Sequence, residues 1–519
     1  MTAAAIDEIL SRPEYEGIKF YHSGDVPLNA MINVIISSES AFLDAVTTLV
    51  VALILLLFFR SVVGVLAPVF VVQMGVLMTV AFIVVVGWQL DMNFGSVPTL
   101  LTAIGVAHSV HILSQFRQRF IQIGDRRSAL VETLSVVGAP CLMTSLTTAV
   151  GFAAMSFVPI KSIAHMGVYS AFGSLMAFFL SVTVLLAFLS FGKASPRGNR
   201  ALPVHRTSWL DGKVAGLLVF VHGLVVERKR AILAAATGIF LVSVLGIYQL
   251  TVDAIWLNDF SDRVPVKLTS QHIDEKMGGL FNLILLFDGG EPGSIKDPHV
   301  LREIDRIQAV ANKNPLVRKS YALTDIIKDL NQTFHGEDPA FHTIPDSREL
   351  IAQYMILYES AGGSEAFKHV SSDYRYAPLE LRLRTSMTSE VVALADEIDA
   401  EIARNGLSGS TMEKTGIGAL WLKLLAYIVT SQVQGFLLAF SVIFILMSIV
   451  LRSARTGMVA MVPNLVPVLI TLGAMGWLAI PLDYSKVSIA AVAMGIAVDD
   501  TIHLILRFRH EFRACGRYD

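Results

Sequence analysis

The sequence predicts a mostly α-helical, polytopic membrane protein with duplicated transmembrane bundles and an extracytoplasmic α+β domain of βαβ type. Hydrophobic residues form 54% of the chain and charged residues only 16%, whereas soluble globular proteins carry about 25% charged residues. Apolar runs of about 20 residues, the length that crosses a ~30 Å hydrocarbon core, recur along the sequence. One long stretch also occurs twice, which indicates duplicated architecture.

The repeat joins residues 17–124 to residues 409–516, without a gap, at a constant offset of 392 positions. In its most polar part, LTAIGVAHSVHILSQFRQRF at 101–120 corresponds to AMGIAVDDTIHLILRFRHEF at 493–512. An even number of spans separates equivalent helices. The two copies are therefore expected to run parallel and to be related by a rotation about the membrane normal.

Nine spans follow from the apolar runs. Lysine and arginine in the short loops between them fall on one side, which predicts that this side is cytoplasmic. The opposite side then holds the long region at 251–427. A partly apolar stretch at 209–226 is predicted to lie at the membrane interface and not to cross it. The spans are predicted at 40–59, 63–86, 95–116, 139–158, 165–189, 231–250, 428–450, 456–478 and 485–506.

These elements divide the chain into six segments. The first residues lack the basic start and apolar stretch of a signal peptide and instead resemble residues 391–420 at the end of the soluble region, so the chain is expected to open within a domain. The first copy of the repeat is followed by two more spans and the second copy is not, so the chain is expected to stop partway through its second bundle. The predicted segments are a C-terminal remnant of a first extracytoplasmic domain (1–38), a five-span bundle (39–192), a cytoplasmic linker (193–230), a single span (231–250), a second extracytoplasmic domain (251–427) and a three-span bundle (428–519).

Residues 251–427 have the composition of a soluble domain. Apolar stretches at 280–287 and 379–383 are predicted to form strands, and apolar spacing predicts amphipathic helices at 298–312 and 389–404. This order of strands and helices predicts a βαβ-type α+β module.

The last span places four polar residues in an apolar run: Asp499, Asp500, Thr501 and His503. An aspartate at the centre of a membrane helix costs roughly 3 kcal/mol even on the mild insertion scale, so packing alone is a weak reason for two adjacent acids. Either acid can share a helix face with His503. Because burial disfavours the charged form of both residue types, such groups can bind and release protons.

The first copy carries Ala107, His108, Ser109 and His111 at the equivalent positions. Both acids are therefore replaced, and a second histidine is present. If the copies pack around a pseudo-two-fold axis, these histidines would face the acids of the last span. The predicted proton relay comprises Asp499, Asp500, Thr501, His503, His108, Ser109 and His111. The alternatives are an acid–histidine pair that only holds helices together, histidines bonded only to nearby carbonyls, and a metal site.

A metal site has weak support in the sequence. Histidine and aspartate are good ligands, but their spacing is not that of HExxH and no cysteine joins them, so no metal or cofactor is predicted. The span that opens near Pro140 carries a face of hydroxyls. This face is predicted to serve close helix packing, with a polar path beside His111 as the alternative. Its residues are Thr144, Ser145, Thr147 and Thr148.

Two motifs carry a resemblance to a known family. Gly495, Asp499 and His503 form a GxxxDxxxH pattern, and the segment PCLMTSLTTAVGF follows the first copy. Together they resemble the resistance–nodulation–division (RND) superfamily, and within it the MMPL-type exporters, whose membrane half is similar to the sterol-sensing domain.

The resemblance implies twelve spans in two halves, and the nine predicted here correspond to the second to tenth. It also implies proton coupling by ionisable residues of the fourth and tenth spans. In the tenth span these are Asp499, Asp500 and His503. The fourth span offers only His108 and His111, since no acid is present there, which favours coupling through the second half.

The leading hypothesis is a proton-driven transporter of lipidic or amphiphilic molecules in a bacterial inner membrane. Its partners would be a hydrophobic or lipid substrate and the bilayer, with no nucleic acid, and a homo-oligomer stays open. The alternatives are a lipid- or sterol-sensing or accessory protein without transport, and an inactive fragment of a transporter. An enzyme is not predicted, because the sequence contains no nucleotide-binding loop, nucleophile elbow or zinc motif.

Overall fold

A computed structural model describes residues 2–21, 25–191, 209–253, 262, 264–362, 368–385, 387–483, 486 and 489–515. Within these residues, helices dominate and four strands form one sheet. The helices are α1 (Thr2–Leu10), α2 (Asp25–Phe59), α3 (Val62–Val85), α4 (Val97–Ile123), α5 (Arg126–Ala153), α6 (Lys161–Leu180), α7 (Leu186–Ser190), α8 (Trp209–Glu227), α9 (Lys229–Ile247), α10 (Pro265–Lys276), α11 (Pro298–Ala311), α12 (Leu323–Phe334), α13 (Arg348–Gly362), α14 (Thr388–Asn405), α15 (Gly416–Leu451), α16 (Ala454–Trp477) and α17 (Ile489–Cys515). The strands are β1 (Phe281–Asp288), β2 (Val317–Tyr321), β3 (Tyr376–Leu383) and β4 (Thr411–Thr415).

Eight helical segments among the described residues are long and apolar enough to cross a membrane. They match eight of the nine predicted spans, and a π-helical turn at Ser181–Leu185 joins α6 and α7 into one of them. The ninth prediction, at 485–506, begins among residues outside the description, and its remainder lies in α17. The prediction of a mostly helical, multi-span membrane protein is confirmed.

The duplicated sequence forms duplicated turns. Arg60 and Arg452 stand at equivalent positions, and both adopt the left-handed conformation, with φ of 48° and 53°. This conformation costs a residue with a side chain about 1–2 kcal/mol. The next residue in each copy, Ser61 or Ser453, caps the following helix by accepting a hydrogen bond from a backbone amide. The sequence repeat is therefore a repeat of backbone structure, including its strained turn.

Contacts divide the chain into two compact units. One contains Met1–Ile32 and Asp253–Ala426, and the other contains Asn33–Val252 and Tyr427–Asp519. The finer division into six segments remains a prediction. Residues 193–208 of the predicted linker lie outside the described residues.

The first unit folds around a sheet of strand order β2-β3-β1-β4, in which every neighbouring pair is antiparallel. Helix α11 connects β1 to β2, and α14 connects β3 to β4, which gives the split βαβ arrangement. Leu283, Leu285 and Phe287 alternate along β1 and are fully buried with Ile304 of α11 and Ile398 of α14. The predicted α+β domain of βαβ type is confirmed: the two predicted strands correspond to β1 and β3 and the two predicted helices to α11 and α14, whereas β2 and β4 were not predicted.

The second unit contains the membrane spans. Residues such as Val71, Ile112 and Leu180 form the core of the first bundle. A second core joins Met447 of α15 to Val498 of α17. Helix α17 packs along α5, the helix that follows the first copy of the repeat.

Helices α9 and α16 approach each other through glycines. A Cβ atom built on Gly476 would lie only 1.8 Å from the carbonyl oxygen of Gly246. Beside this contact, Nε1 of Trp477 donates a hydrogen bond to the carbonyl of Val242 at 2.9 Å. Small residues let membrane helices pack backbone to backbone. A larger side chain at Gly246 or Gly476 would therefore force α9 and α16 apart.

Candidate functional site

Helices α4 and α17 carry the ionisable residues of the two copies into the membrane unit. Helix α4 begins with Pro98 in its first turn and ends at Gly124, whose φ of 76° lets the chain leave the helix. The parts of both helices that would cross the membrane are otherwise mostly apolar, and arginines such as Arg117 and Arg507 follow toward their C-terminal ends. Lipid offers no hydrogen bonds, so the polar side chains on these helices need partners inside the protein.

The two equivalent histidines meet at the centre of the site. The rings of His111 and His503 stack with centroids 4.2 Å apart and an angle of 15° between their planes. Two positive rings at this distance would repel by about 4 kcal/mol at an effective dielectric constant of 20. The stack therefore favours at most one protonated ring.

Asp499 supplies the negative partner. Its Oδ1 lies 3.4 Å from Nε2 of His503, one helical turn away, and each side chain is 17% exposed. The carboxylate also lies beside the hydroxyl of Thr144 on α5 and close enough to His108 and His111 to interact with their charged forms. The Asp499 carboxylate thus lies close to three histidines from both copies of the repeat.

His108 is the most deeply buried member, with 1% of its surface exposed. Its Nε2 shares a hydrogen bond of 2.7 Å with the hydroxyl of Ser145 on α5, and the ring meets Phe178 of α6 edge-on. Its Nδ1 is buried and has no hydrogen-bond partner among the described residues. The bond to Ser145 therefore fixes the orientation of the ring, and Nδ1 is available for a further hydrogen bond.

Asp500 lies at the exposed edge of this cluster. Its side chain is exposed, because successive residues of an α-helix are turned by about 100°, with 3.6 residues per turn. The expectation that both acids lie in the interior of the bundle is wrong for Asp500, which is exposed, although it lies close enough to His503 to interact with the charged form of that ring.

Two further predicted relay residues contact other groups. Ser109 is fully buried, but its hydroxyl donates to the carbonyl of Gly105 at 2.8 Å within α4. Thr501 donates to Oδ1 of Asn464 on α16 at 2.7 Å. Thr501 therefore ties α17 to α16, and neither hydroxyl bonds to a member of the histidine cluster.

Two polar contacts of the site do not follow from the sequence. The sequence analysis predicts a packing role for Ser145 and makes no prediction for Asn464. Ser145 stood in the hydroxyl face expected to pack helices, and its bond to His108 depends on how α4 and α5 are rotated. Asn464 is 1% exposed and lies in an apolar span between two prolines. An amide in such a run is itself the signal that could have identified it, since buried polar groups in membranes need partners.

The arrangement suits proton binding better than metal binding. Among the described residues, no group of three or more histidine, cysteine, aspartate or glutamate side chains is placed to hold a metal ion. The cluster instead offers one carboxylate, imidazole rings in contact and hydroxyl partners. These groups can accept, hold and pass protons in a site of low dielectric constant.

The sequence profile of the MMPL family matches residues 1–210 and 349–517. These ranges contain both copies of the repeat and every member of the histidine cluster.

Two individual proteins resemble the chain in sequence. A membrane protein of Methanocaldococcus jannaschii is 23% identical over 187 residues, which cover 35% of this chain and 47% of that protein. The hopanoid transporter HpnN of Rhodopseudomonas palustris is 30% identical over 142 residues, which cover 24% of this chain and 16% of the transporter.

Two solved structures share the fold. The hedgehog release protein Disp of the water bear Hypsibius dujardini aligns with a TM-score of 0.60 at 13% identity, over 93% of this chain and 63% of that one. SecDF, a translocon-associated membrane protein from Thermus, aligns with a TM-score of 0.50 at 12% identity, over 94% of this chain and 53% of that one. The chain spans less than two thirds of the length of each of these four proteins.

Proposed function

The chain belongs to the MMPL family, and from this premise we propose that it is a membrane transporter of lipidic or amphiphilic molecules, driven by protons that bind at Asp499. The observation that carries the proposal is the cluster in which Asp499 faces His108, His111 and His503. Family membership supports transport, and the cluster supports the driving force.

The energetic cost of the cluster supports a role beyond packing. An aspartate at the centre of a membrane helix costs roughly 3 kcal/mol on the mild insertion scale. A purely structural contact between α4 and α17 could be made by apolar side chains without this cost. Ionisable residues inside membrane spans are typical of proton relays and substrate pathways.

The position of the cluster supports coupling between the halves. His111 belongs to the first copy and Asp499 and His503 to the second, so a proton bound here changes the charge between the two copies. A change of charge in low dielectric can favour one packing of two bundles over another. Proton binding would thereby drive the alternation of access that transporters with repeated halves use.

A lipidic substrate is supported by what is known of relatives and by the membrane setting. One relative is a hopanoid transporter, and hopanoids are hydrophobic. We extend this substrate class to the present chain, with the first unit receiving the molecule outside a bacterial inner membrane.

The proposal is tested with the full-length protein in vesicles of phosphatidylethanolamine and phosphatidylglycerol that contain a trace of fluorescent short-chain phospholipid. A pH gradient is imposed, and loss of the probe from the vesicles to an external acceptor is followed. Loss that requires both protein and gradient is expected. Loss independent of the gradient would overturn proton coupling, and no loss under any gradient would favour the lipid-sensing alternative.

A further inference from the structure

We propose that an internal file of water molecules along α6 carries protons to His108 from the end of the first bundle that is predicted to be extracytoplasmic. The inference rests on the proposed function and adds an entry route for its protons. It begins from three polar groups that are buried and lack hydrogen-bond partners among the described residues. They are Ser170 Oγ, Ser174 Oγ and His108 Nδ1.

The two serines are unusual because serines in membrane helices normally bond to the carbonyl one turn earlier. Ser181 of the same span does so, donating to Ala177 at 2.7 Å. Ser170 and Ser174 are each 0% exposed, and neither makes such a bond to any described residue. A buried hydroxyl left unpaired costs about 1–3 kcal/mol, and buried water commonly satisfies such groups.

The two serines lie on a line that ends at His108. Residues four apart share a helix face, so Ser170, Ser174 and Phe178 form one stripe on α6. Phe178 meets the His108 ring edge-on, with centroids 6.4 Å apart. The unpaired Nδ1 of His108 is thus the natural inner end of the line.

A hydrogen-bonded carboxylate lies at the end of α6 that is predicted to be extracytoplasmic. Ser162, two helical turns before Ser170, donates to Oδ2 of Asp91, and Asn93 donates to Ser162 at 2.7 Å. The hydroxyl of Tyr169, which is 2% exposed, lies 3.5 Å from Oδ1 of Asp91. Tyr169 directly precedes Ser170 in the chain, so this contact connects Asp91 with the turn of α6 that carries Ser170.

The segment of α6 between Ser162 and Phe178 has the length that a proton entry path needs. From Ser162 to Phe178 it extends about 24 Å at 1.5 Å per residue, most of a ~30 Å hydrocarbon core. Water is both donor and acceptor, so waters between Asp91 and His108 would pair Ser170, Ser174 and Nδ1 of His108. Asp91 collects protons at the outer end, and His108 passes them to Asp499.

Cysteine accessibility tests the file directly, without relying on transport. In a full-length protein in which Cys141 and Cys515 are replaced, Ser170→Cys and Ser174→Cys are labelled with a small, water-soluble thiosulfonate, and Ser181→Cys is the matched control. Because a thiolate forms only where water reaches it, the first two should react at least about tenfold faster. Equal rates at all three positions would overturn the proposal.

A second measurement tests whether the water file delivers protons to the relay. The Ser170→Ala/Ser174→Ala variant loses no hydrogen bond to the described chain, so a purely structural role predicts unchanged folding and unchanged transport. We expect unchanged folding with gradient-driven probe loss reduced about tenfold or more, while Ser181→Ala stays near wild type. Labelled cysteines combined with normal transport in the double alanine variant would contradict the entry role. If the unaltered protein moved no probe, the proposed function would be wrong. The labelling rates would still show whether water reaches Ser170 and Ser174.

Discussion

His111 and His503 occupy equivalent positions in the two copies of the repeat, and their rings stack against each other at a centroid distance of 4.2 Å. A contact between equivalent residues places them at the pseudo-symmetry axis of the pair. Asp499 has no equivalent acid in the first copy, where Ala107 stands. The site is thus symmetric in its histidines and asymmetric in its charge, which suits one proton-binding carboxylate serving both halves.

A substitution at His503 can distinguish the packing role of this ring from its role in proton transfer. His503→Phe keeps an aromatic ring against His111 but removes the nitrogen that faces Asp499. We expect a folded, inserted protein whose gradient-driven transport falls by about a hundredfold, the lower range of losses for a proton-transfer group. His503→Ala should lose transport and also lower the melting temperature. Full transport in the phenylalanine variant would show that the histidine only packs.

Ser145 should set how His108 exchanges protons. Ser145→Ala leaves Nε2 of His108 unpaired in a buried site, at a cost of about 1–3 kcal/mol in the free energy of unfolding. It should also move the pH at which transport is half-maximal. Thr147→Val is the matched control, since that buried hydroxyl bonds only to the carbonyl of Thr144 within its own helix. An identical pH profile in the Ser145→Ala variant would argue against a role in proton transfer.

The glycine contact between α9 and α16 should be intolerant of any side chain. Gly476→Ala would put a methyl group 1.8 Å from the Gly246 carbonyl oxygen, so the two helices must separate. Overpacking of this kind typically costs 1–3 kcal/mol, measured as a lower melting temperature in detergent. Gly435→Ala on α15 is the control, because a Cβ there meets no atom within 4 Å. Equal effects of the two substitutions would refute the close contact.

Glu303 should make the loop before β4 sensitive to acid. Its carboxylate is 7% exposed; burial raises its pKa, but hydrogen bonds from Ser410, Ser408 and Gly409 outweigh this and leave the pKa below the ordinary value. A lowered pKa contributes stability above the ordinary glutamate value of about 4.3, and this stability is lost as the pH falls through the lower pKa.

Hydrogen exchange can follow this loss. The amides of Ser408 and Gly409, which donate to Glu303, should exchange faster below pH 4 than the intrinsic rate change explains. In the Glu303→Gln variant they should be less protected at neutral pH and should show little further loss on acidification. Protection that does not differ between the variant and the unaltered chain would contradict this account.

Periodicity and apolar length predicted the spans, the repeat and the α+β domain, because these features depend on patterns that many residues share. The sequence also identified Asp499, His503, His108 and His111, since charge in an apolar run is rare. It could not decide between Asp499 and Asp500, because that choice depends on the rotation of α17 against α5. The Ser145–His108 bond and the Gly246–Gly476 contact were unpredictable for the same reason: each joins two helices at one point, without a periodic signal.

The most direct test of the central claim compares two neighbouring acids. Asp499→Asn and Asp500→Asn remove the same charge from adjacent positions of α17, but Asp499 is only 17% exposed beside the histidines, whereas Asp500 is exposed. In full-length protein reconstituted as above, gradient-driven movement of the probe should fall by about a hundredfold or more in Asp499→Asn and stay near the unaltered rate in Asp500→Asn. Undiminished movement in Asp499→Asn, with both variants folded and inserted, would contradict proton binding at this site.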